Sequence, residues 1–187
     1  MIKVGVFCDV ENVVSTFALV KSKVQFDSIL KFIEDECKRE GKTLWKAVAF
    51  VPKRETHENL INALSFQGWR VISRPVRKLP DGSIKANMDL EIAIEILQTA
   101  PYLDEVVLIS GDGDFVPLID LLSKMGKRIW VIGTRKGSVA IELIRVSDRY
   151  MNITDIPEEY EVLKFYEEFS EHPNSGEQNS QIPEGEG

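Results

Sequence analysis

Apolar and polar positions recur along this chain in two periods, and the switches between them mark out its elements. Ile2 to Asp9 is apolar and rich in β-branched residues, then breaks at Asp9 with Glu11 and Asn12 following, which predicts a central strand ending in polar groups. A short helix is expected over Val13 to Val20. A longer one follows, with Phe26, Ile29, Leu30, Ile33 and Cys37 on one face, until Gly41 stops it. Leu44 to Val51 reads as a second strand ended by Pro52, Thr56 to Gln67 as a helix closed by Gly68, and Trp69 to Val76 as a third strand. The stretch RKLPDGSIK carries the turn signal Pro80-Asp81-Gly82 and predicts a surface loop or short hairpin. Then come a helix over Ala86 to Ala100, a fourth strand over Val106 to Ser110, and a helix over Phe115 to Met125 with Leu118, Leu121, Leu122 and Met125 at helical spacing. Arg128 to Gly133 is the fifth strand and Ser138 to Arg145 the next helix. Tyr150 to Ile153 adds a short sixth strand, and Glu158 to Phe169 a terminal helix. Such alternation predicts a three-layer α/β/α sandwich around a mainly parallel sheet of five or six strands.

Length and charge refine this picture. A chain of 187 residues suits one well-packed domain, expected over residues 1–155, with a helical extension over 156–173 and a disordered acidic tail over 174–187. No apolar stretch reaches the roughly 18 residues of a membrane span, and Met1 leads straight into strand-like sequence, so a cytoplasmic protein without a membrane partner is expected. Cys8 and Cys37 lack metal-ligand spacing and read as buried thiols without a disulfide. The formal charge of −7 is uneven: residues 156–187 hold nine Glu and one Lys, leaving the body with 21 acids and 22 bases. The balanced body therefore does not exclude an anionic ligand.

The densest chemistry lies in VVLISGDGDF, Val106 to Phe115. Its apolar run suits a strand buried on both faces, and Gly111 and Gly113 read as residues that let the backbone turn sharply into the next helix. Asp112 and Asp114 then crown the strand's carboxyl end, the edge where open α/β sheets bind ligands, and can hold a hard divalent cation. Asp114 has an alternative role as a helix cap ahead of Pro117, which capping does not offer for Asp112. Asp89 sits opposite the polar stripe Glu91, Glu95, Gln98, on the face of Ile92, Ala93 and Ile96, where a carboxylate needs compensation from a metal, solvent or a base such as Lys85. Asp9 closes the first strand as Asp112 closes the fourth. If those strands are neighbours at a topological switch point, four aspartates converge on one crevice, with Asn12 placed to position water or phosphate. Such a cluster suits Mg²⁺ or Mn²⁺ and attack of water on phosphorus.

These motifs carry a resemblance. FCDVEN, KANMDLEIAIE, SGDGDFVPLI and RVSDRYMNI resemble the NYN domain family, its LabA-like members especially, among the PIN-like nucleases, over roughly residues 2–153. The resemblance implies a sheet of order 3-2-1-4-5, metal-dependent RNA cleavage, and Asp9, Asp89, Asp112 and Asp114 as the metal-site residues with Asn12 as their polar companion. Val10 departs from the glycine that many members carry after the first aspartate.

Basic residues fall where strands end: Lys53 and Arg54 after the second, Arg74, Arg77 and Lys78 after the third, Arg135 and Lys136 after the fifth, with Lys85 ahead of Asp89. They read either as an RNA-binding rim or as ordinary solvated loop charge. Trp45, Phe50, Trp69 and Trp130 read as core, and His57 and His172 have no ligand-like company. The expected function is a Mg²⁺- or Mn²⁺-dependent ribonuclease acting on single-stranded or structured RNA, with a homodimer kept open. The alternatives are a nucleic-acid-binding regulatory module of the same fold, and a phosphatase of the haloacid-dehalogenase type. The last needs an aspartate where Glu11 stands.

Overall fold

In the computed structural model, which describes residues 1–78, 84–85 and 88–165 with the backbone alone at 77, 78, 84 and 85, the alternating pattern folds as predicted. Strand β1 (Lys3–Asp9) passes directly into helix α1 (Val10–Ala18). After β2 (Ser22–Val24), helix α2 (Phe26–Arg39) leads to β3 (Thr43–Lys53), α3 (Glu58–Phe66) and β4 (Arg70–Pro75). In the described part of the irregular stretch, β5 (Arg77–Lys78) pairs antiparallel with β6 (Ile84–Lys85). Then follow α4 (Asp89–Thr99), β7 (Glu105–Ile109), α5 (Val116–Lys124), β8 (Arg128–Gly133), α6 (Ile141–Val146), β9 (Arg149–Asn152) and β10 (Leu163–Phe165).

The main sheet runs β4-β3-β1-β7-β8-β9 with every pairing parallel, which is the expected 3-2-1-4-5 order extended by a sixth strand. Helices cover both faces because β1, β7 and β8 are apolar on both sides. One layer packs α1, α2 and α3 on Val6, Cys8, Ala49, Val107 and Trp130. The other packs α4, α5 and α6 on Phe7, Val48, Phe50, Leu108 and Val131. The chain reverses direction across the sheet between β1 and β7, so the carboxyl ends of those two neighbours form the switch-point crevice. Both cysteines are free and buried, as expected. No helix among the described residues is long and apolar enough to cross a membrane.

Several elements differ from their expected form. Pro52 lies inside β3 rather than ending it, because β1 has already stopped at Asp9, opposite Phe50, and β3 continues as a local edge beside β4. The helix expected over Glu158 to Phe169 does not form in its described part. Instead a 3₁₀ turn at Glu158–Tyr160 leads to β10, which pairs antiparallel with β2. Tertiary contacts override helix propensity there: Tyr160 stacks edge-on against Phe32, its ring centroid 5.3 Å away, and donates its hydroxyl to Asp35. Residues 166–187 lie outside the described residues, and with them the expected tail and His172. Trp45 is not core either, being 47% exposed.

At the edge opposite the crevice a cleft of about 350 Å³ is walled by ion pairs. Lys42 bonds Glu105 at 2.6 Å, and Arg149 bridges Glu36 and Glu40 while its guanidinium lies 3.9 Å from the Trp130 ring centroid. Burial alone would lower the Lys42 pKa, but its hydrogen bonds to Glu105 and Glu40 raise it. These pairs clamp the starts of β7 and β9 to the end of α2.

Candidate metal and nucleic-acid site

Two strand ends build the centre of the site by the same local device. Asp9 ends β1 and caps α1, accepting from the Asn12 backbone amide at 3.2 Å on Oδ1. Asp112, beyond β7, caps the 3₁₀ turn Gly113–Phe115, accepting from the Asp114 amide at 2.9 Å on Oδ1. The alternative role of Asp114 as a helix cap is thus not taken up, while Asp112, for which no capping role was expected, does cap. Each capping aspartate uses its Oδ1 locally, and the Oδ2 of Asp9 is shared with Ser110.

Ser110 joins the two halves. It is fully buried, its hydroxyl donating to Asp9 Oδ2 at 3.3 Å and accepting from the Asp112 amide at 3.2 Å. Asn12 makes the second link: its Oδ1 accepts from the Gly111 amide at 2.9 Å, so the side-chain oxygen is committed to the loop and only the amide nitrogen remains for a ligand. Asn12 is thus first a clip between α1 and the β7 loop. Ser110 escaped the sequence reading because a lone serine after an apolar run carries no periodic signal. Its position directly before Gly-Asp-Gly-Asp was the available clue.

Glycine is needed here for space rather than for backbone angle. Neither Gly111 nor Gly113 has positive φ, whereas a Cβ on Gly111 would stand 2.6 Å from the Ser138 carbonyl oxygen. The same loop returns a hydrogen bond from the Ala140 amide to the Gly111 carbonyl at 3.0 Å. Gly111→Ala should therefore push the β8–α6 loop outward and destabilise the fold by about 1–3 kcal/mol. A melting curve indistinguishable from the parent would show that the loop yields freely.

Asp89, Asp112 and Asp114 each offer an oxygen, and the three oxygens lie within 4.8 Å of one another. Asp89, at the first position of α4, and Asp112 are half-buried, while Asp114 is exposed. Asp9 stands beside them, only 8% exposed. Burial raises its carboxyl pKa to about 6, partly offset by the Asn12 and Ser110 hydrogen bonds and reinforced by the charges of Asp89 and Asp112. A cleft of about 300 Å³ opens over Asp9, Asn12, Asp89 and Asp112, with Glu11, Ser15, Pro52 and Met88 completing its walls. The donor set is all carboxylate oxygen, which matches hard divalent cations such as Mg²⁺ or Mn²⁺ and not soft ones. Three of the four predicted aspartates thus bring their oxygens together, and Asp9 lines the same cleft as Asp89 and Asp112 without joining that trio. Whether Asp89 pairs with Lys85 falls on a side chain outside the described set.

Parallel pairing also fixes where the predicted basic residues stand. Lys53 and Arg74 lie at the carboxyl ends of β3 and β4, Arg77, Lys78 and Lys85 on the paired strands β5 and β6 that follow, and Arg135 and Lys136 beyond β8. The aspartates of β1 and β7 sit between these two groups along the sheet edge. Lys53, Arg74 and Lys136 are exposed. Arg54 is held by Glu11 at 3.0 Å, and Arg135 donates to the Ser138 hydroxyl at 3.2 Å. His57 is engaged with the Pro52 carbonyl.

The NYN domain profile matches residues 3–154, so this chain belongs to the NYN domain family, a PIN-like, nuclease-like family, and the six-stranded parallel sheet with an aspartate at each side of its switch point is consistent with that membership. Among its relatives, the Low amplitude and bright protein LabA of Synechococcus elongatus is 38% identical over 101 residues, covering 51% of this chain and 54% of the relative. This chain thus spans about half the length of the curated relative it matches. A crystal structure of a protein of unknown function from Vibrio parahaemolyticus superposes with a TM-score of 0.70 at 25% identity, covering 82% of this chain and 93% of that one.

Proposed function

We propose that this protein is a Mg²⁺- or Mn²⁺-dependent ribonuclease hydrolysing RNA phosphodiester bonds at the switch-point crevice. The observation that carries this reading is the convergence of Asp89, Asp112 and Asp114 oxygens within 4.8 Å, beside the buried carboxyl of Asp9. These aspartates would hold the cation, Asp9 and Asp112 through the oxygens not used in capping. A divalent cation bound there supplies charge stabilisation to the phosphoryl oxygens and makes a bound water more acidic. Ser110 and Asn12 fix the spacing of the two strand ends, and the basic residues on both sides hold neighbouring phosphates.

One observation favours a second reading, a nucleic-acid-binding regulatory module without turnover. Capping alone gives Asp9 and Asp112 a structural reason to be present. Incubating the purified protein with single-stranded RNA separates the two. Slow cleavage with Mn²⁺ or Mg²⁺ that stops with EDTA is expected, and RNA binding without metal-dependent cleavage would favour the regulatory module.

A further inference from the structure

The far end of α4 carries an exposed aromatic pair that the crevice does not use. Val4 pairs with Leu44 and Gly5 with Lys46, so Trp45 is the extra residue of a bulge in β3 and is turned outward. It is 47% exposed, and its ring lies 6.3 Å from that of Tyr102, which is 64% exposed, with Lys3 Nζ 5.8 Å from the indole centroid. Two solvated rings beside an ammonium have the chemistry of a nucleobase platform with a phosphate partner.

A line of side chains joins this platform to the aspartates. Helix α4 starts at Asp89 in the crevice and runs into the 3₁₀ turn that holds Tyr102. Beside it, β3 runs the opposite way, from Trp45 to Pro52 in the crevice wall. Arg70 on β4 reaches Glu95 of α4 at 3.3 Å, and Lys46 reaches the same carboxylate at 2.6 Å, so Glu95 is matched by two cations. Arg74 shares the Arg70 face of β4 by the two-residue period and is exposed.

We propose that this strip between α4 and the edge strand β4 is a track for single-stranded RNA, leading from the aspartate crevice to a base-stacking platform on Trp45 and Tyr102. The proposal rests on the ribonuclease reading. The two rings expose on the order of 200 Å², well below the roughly 800 Å² per partner of a stable protein interface, which favours a stacked base over a second protein. The track is about 20 Å long, measured along α4, or about six nucleotides at stacked spacing.

The test is fluorescence anisotropy in EDTA with labelled single-stranded RNA of about four and about twelve nucleotides. Trp45→Ala combined with Tyr102→Ala should weaken the long RNA about tenfold or more and leave the short one unchanged, while Trp45→Phe keeps stacking and restores the length dependence. Because Trp69 and Trp130 are buried, long RNA should also quench the Trp45 fluorescence of the parent protein. Equal loss for both lengths, or no loss for either, overturns the track. If cleavage persists in the second case, the ribonuclease reading stands without it. Parent protein that binds neither length removes the track, and it removes the ribonuclease reading as well if cleavage with Mn²⁺ is also absent. A dimer of the parent that the alanine variant loses, with RNA binding unchanged, would show that a second copy occupies the platform.

Discussion

Asp112→Asn should lower the rate of metal-dependent cleavage by about 10²–10³-fold while the protein stays folded. The asymmetry follows from how the residue is held. Its Oδ1 caps the turn at Gly113–Phe115, and asparagine offers the same oxygen to the Asp114 amide and is an equally good cap. What the substitution removes is the negative charge that Asp112 shares with Asp89 and Asp114 around the crevice. A ligand carboxylate contributes several kcal/mol to stabilising charge in the transition state, and each 1.36 kcal/mol is about a factor of ten. RNA affinity in EDTA should be equal or higher, since a like charge has left a crevice that receives phosphates. Cleavage at the parent rate would place the activity outside this cluster. Loss of folding, read by thermal melt, would show that capping by Asp112 requires the charge.

Much of the site was legible because it sits where periodicity breaks. Asp9 and Asp112 each follow an uninterrupted apolar run, and a doubly wound sheet places those two strand ends together, as the β1–β7 pairing does. What escaped depends on register or on packing between distant segments. Trp45 looked like core, since its neighbours Leu44 and Val48 are strand residues facing the interior. Only the slip at Val4/Gly5 turns it to solvent, and no local pattern announces a bulge. Gly111 suggested backbone freedom, yet its reason is the Ser138 carbonyl, 27 residues further on and brought close by the β8–α6 loop. Glu158 to Phe169 has helical composition, but Phe32 and Asp35 of α2 hold Tyr160 in a turn, and β2 offers β10 an edge. The charge on Asp89 drew attention from its place on an apolar helix face. Asp9, at the end of an unremarkable strand, is the more buried group, because depth below the crevice floor is a tertiary property.

That burial leads to a second large effect, in which Asp9→Asn makes the metal-free protein more stable at neutral pH. The Asp9 carboxyl has a pKa of about 6 in the folded protein against 3.8 ordinarily, raised first by burial and then by Asp89 and Asp112. Between these values the folded state binds more protons than the unfolded one, so the Asp9 contribution to stability falls as pH rises through about 4 to 6. Below that window the group is protonated in both states and favours neither. Above it, folding must bury an ionised carboxylate, a destabilisation of about 3 kcal/mol. Asparagine keeps an oxygen for the Asn12 amide and presents its own amide to the Ser110 hydroxyl, so it removes the charge with little change of shape. In EDTA the melting temperatures of parent and variant should match near pH 4 and separate above pH 6, the variant higher by about 6–12 °C. With Mn²⁺ in excess the order should close or invert, since a cation bound only by the native state stabilises the parent by mass action and the variant lacks the Asp9 carboxylate proposed as a ligand. A variant that melts below the parent in EDTA at pH 8 would show that the hydrogen bonds from Asn12 and Ser110 outweigh burial, and that Asp9 is held as a structural cap whose charge the fold prefers.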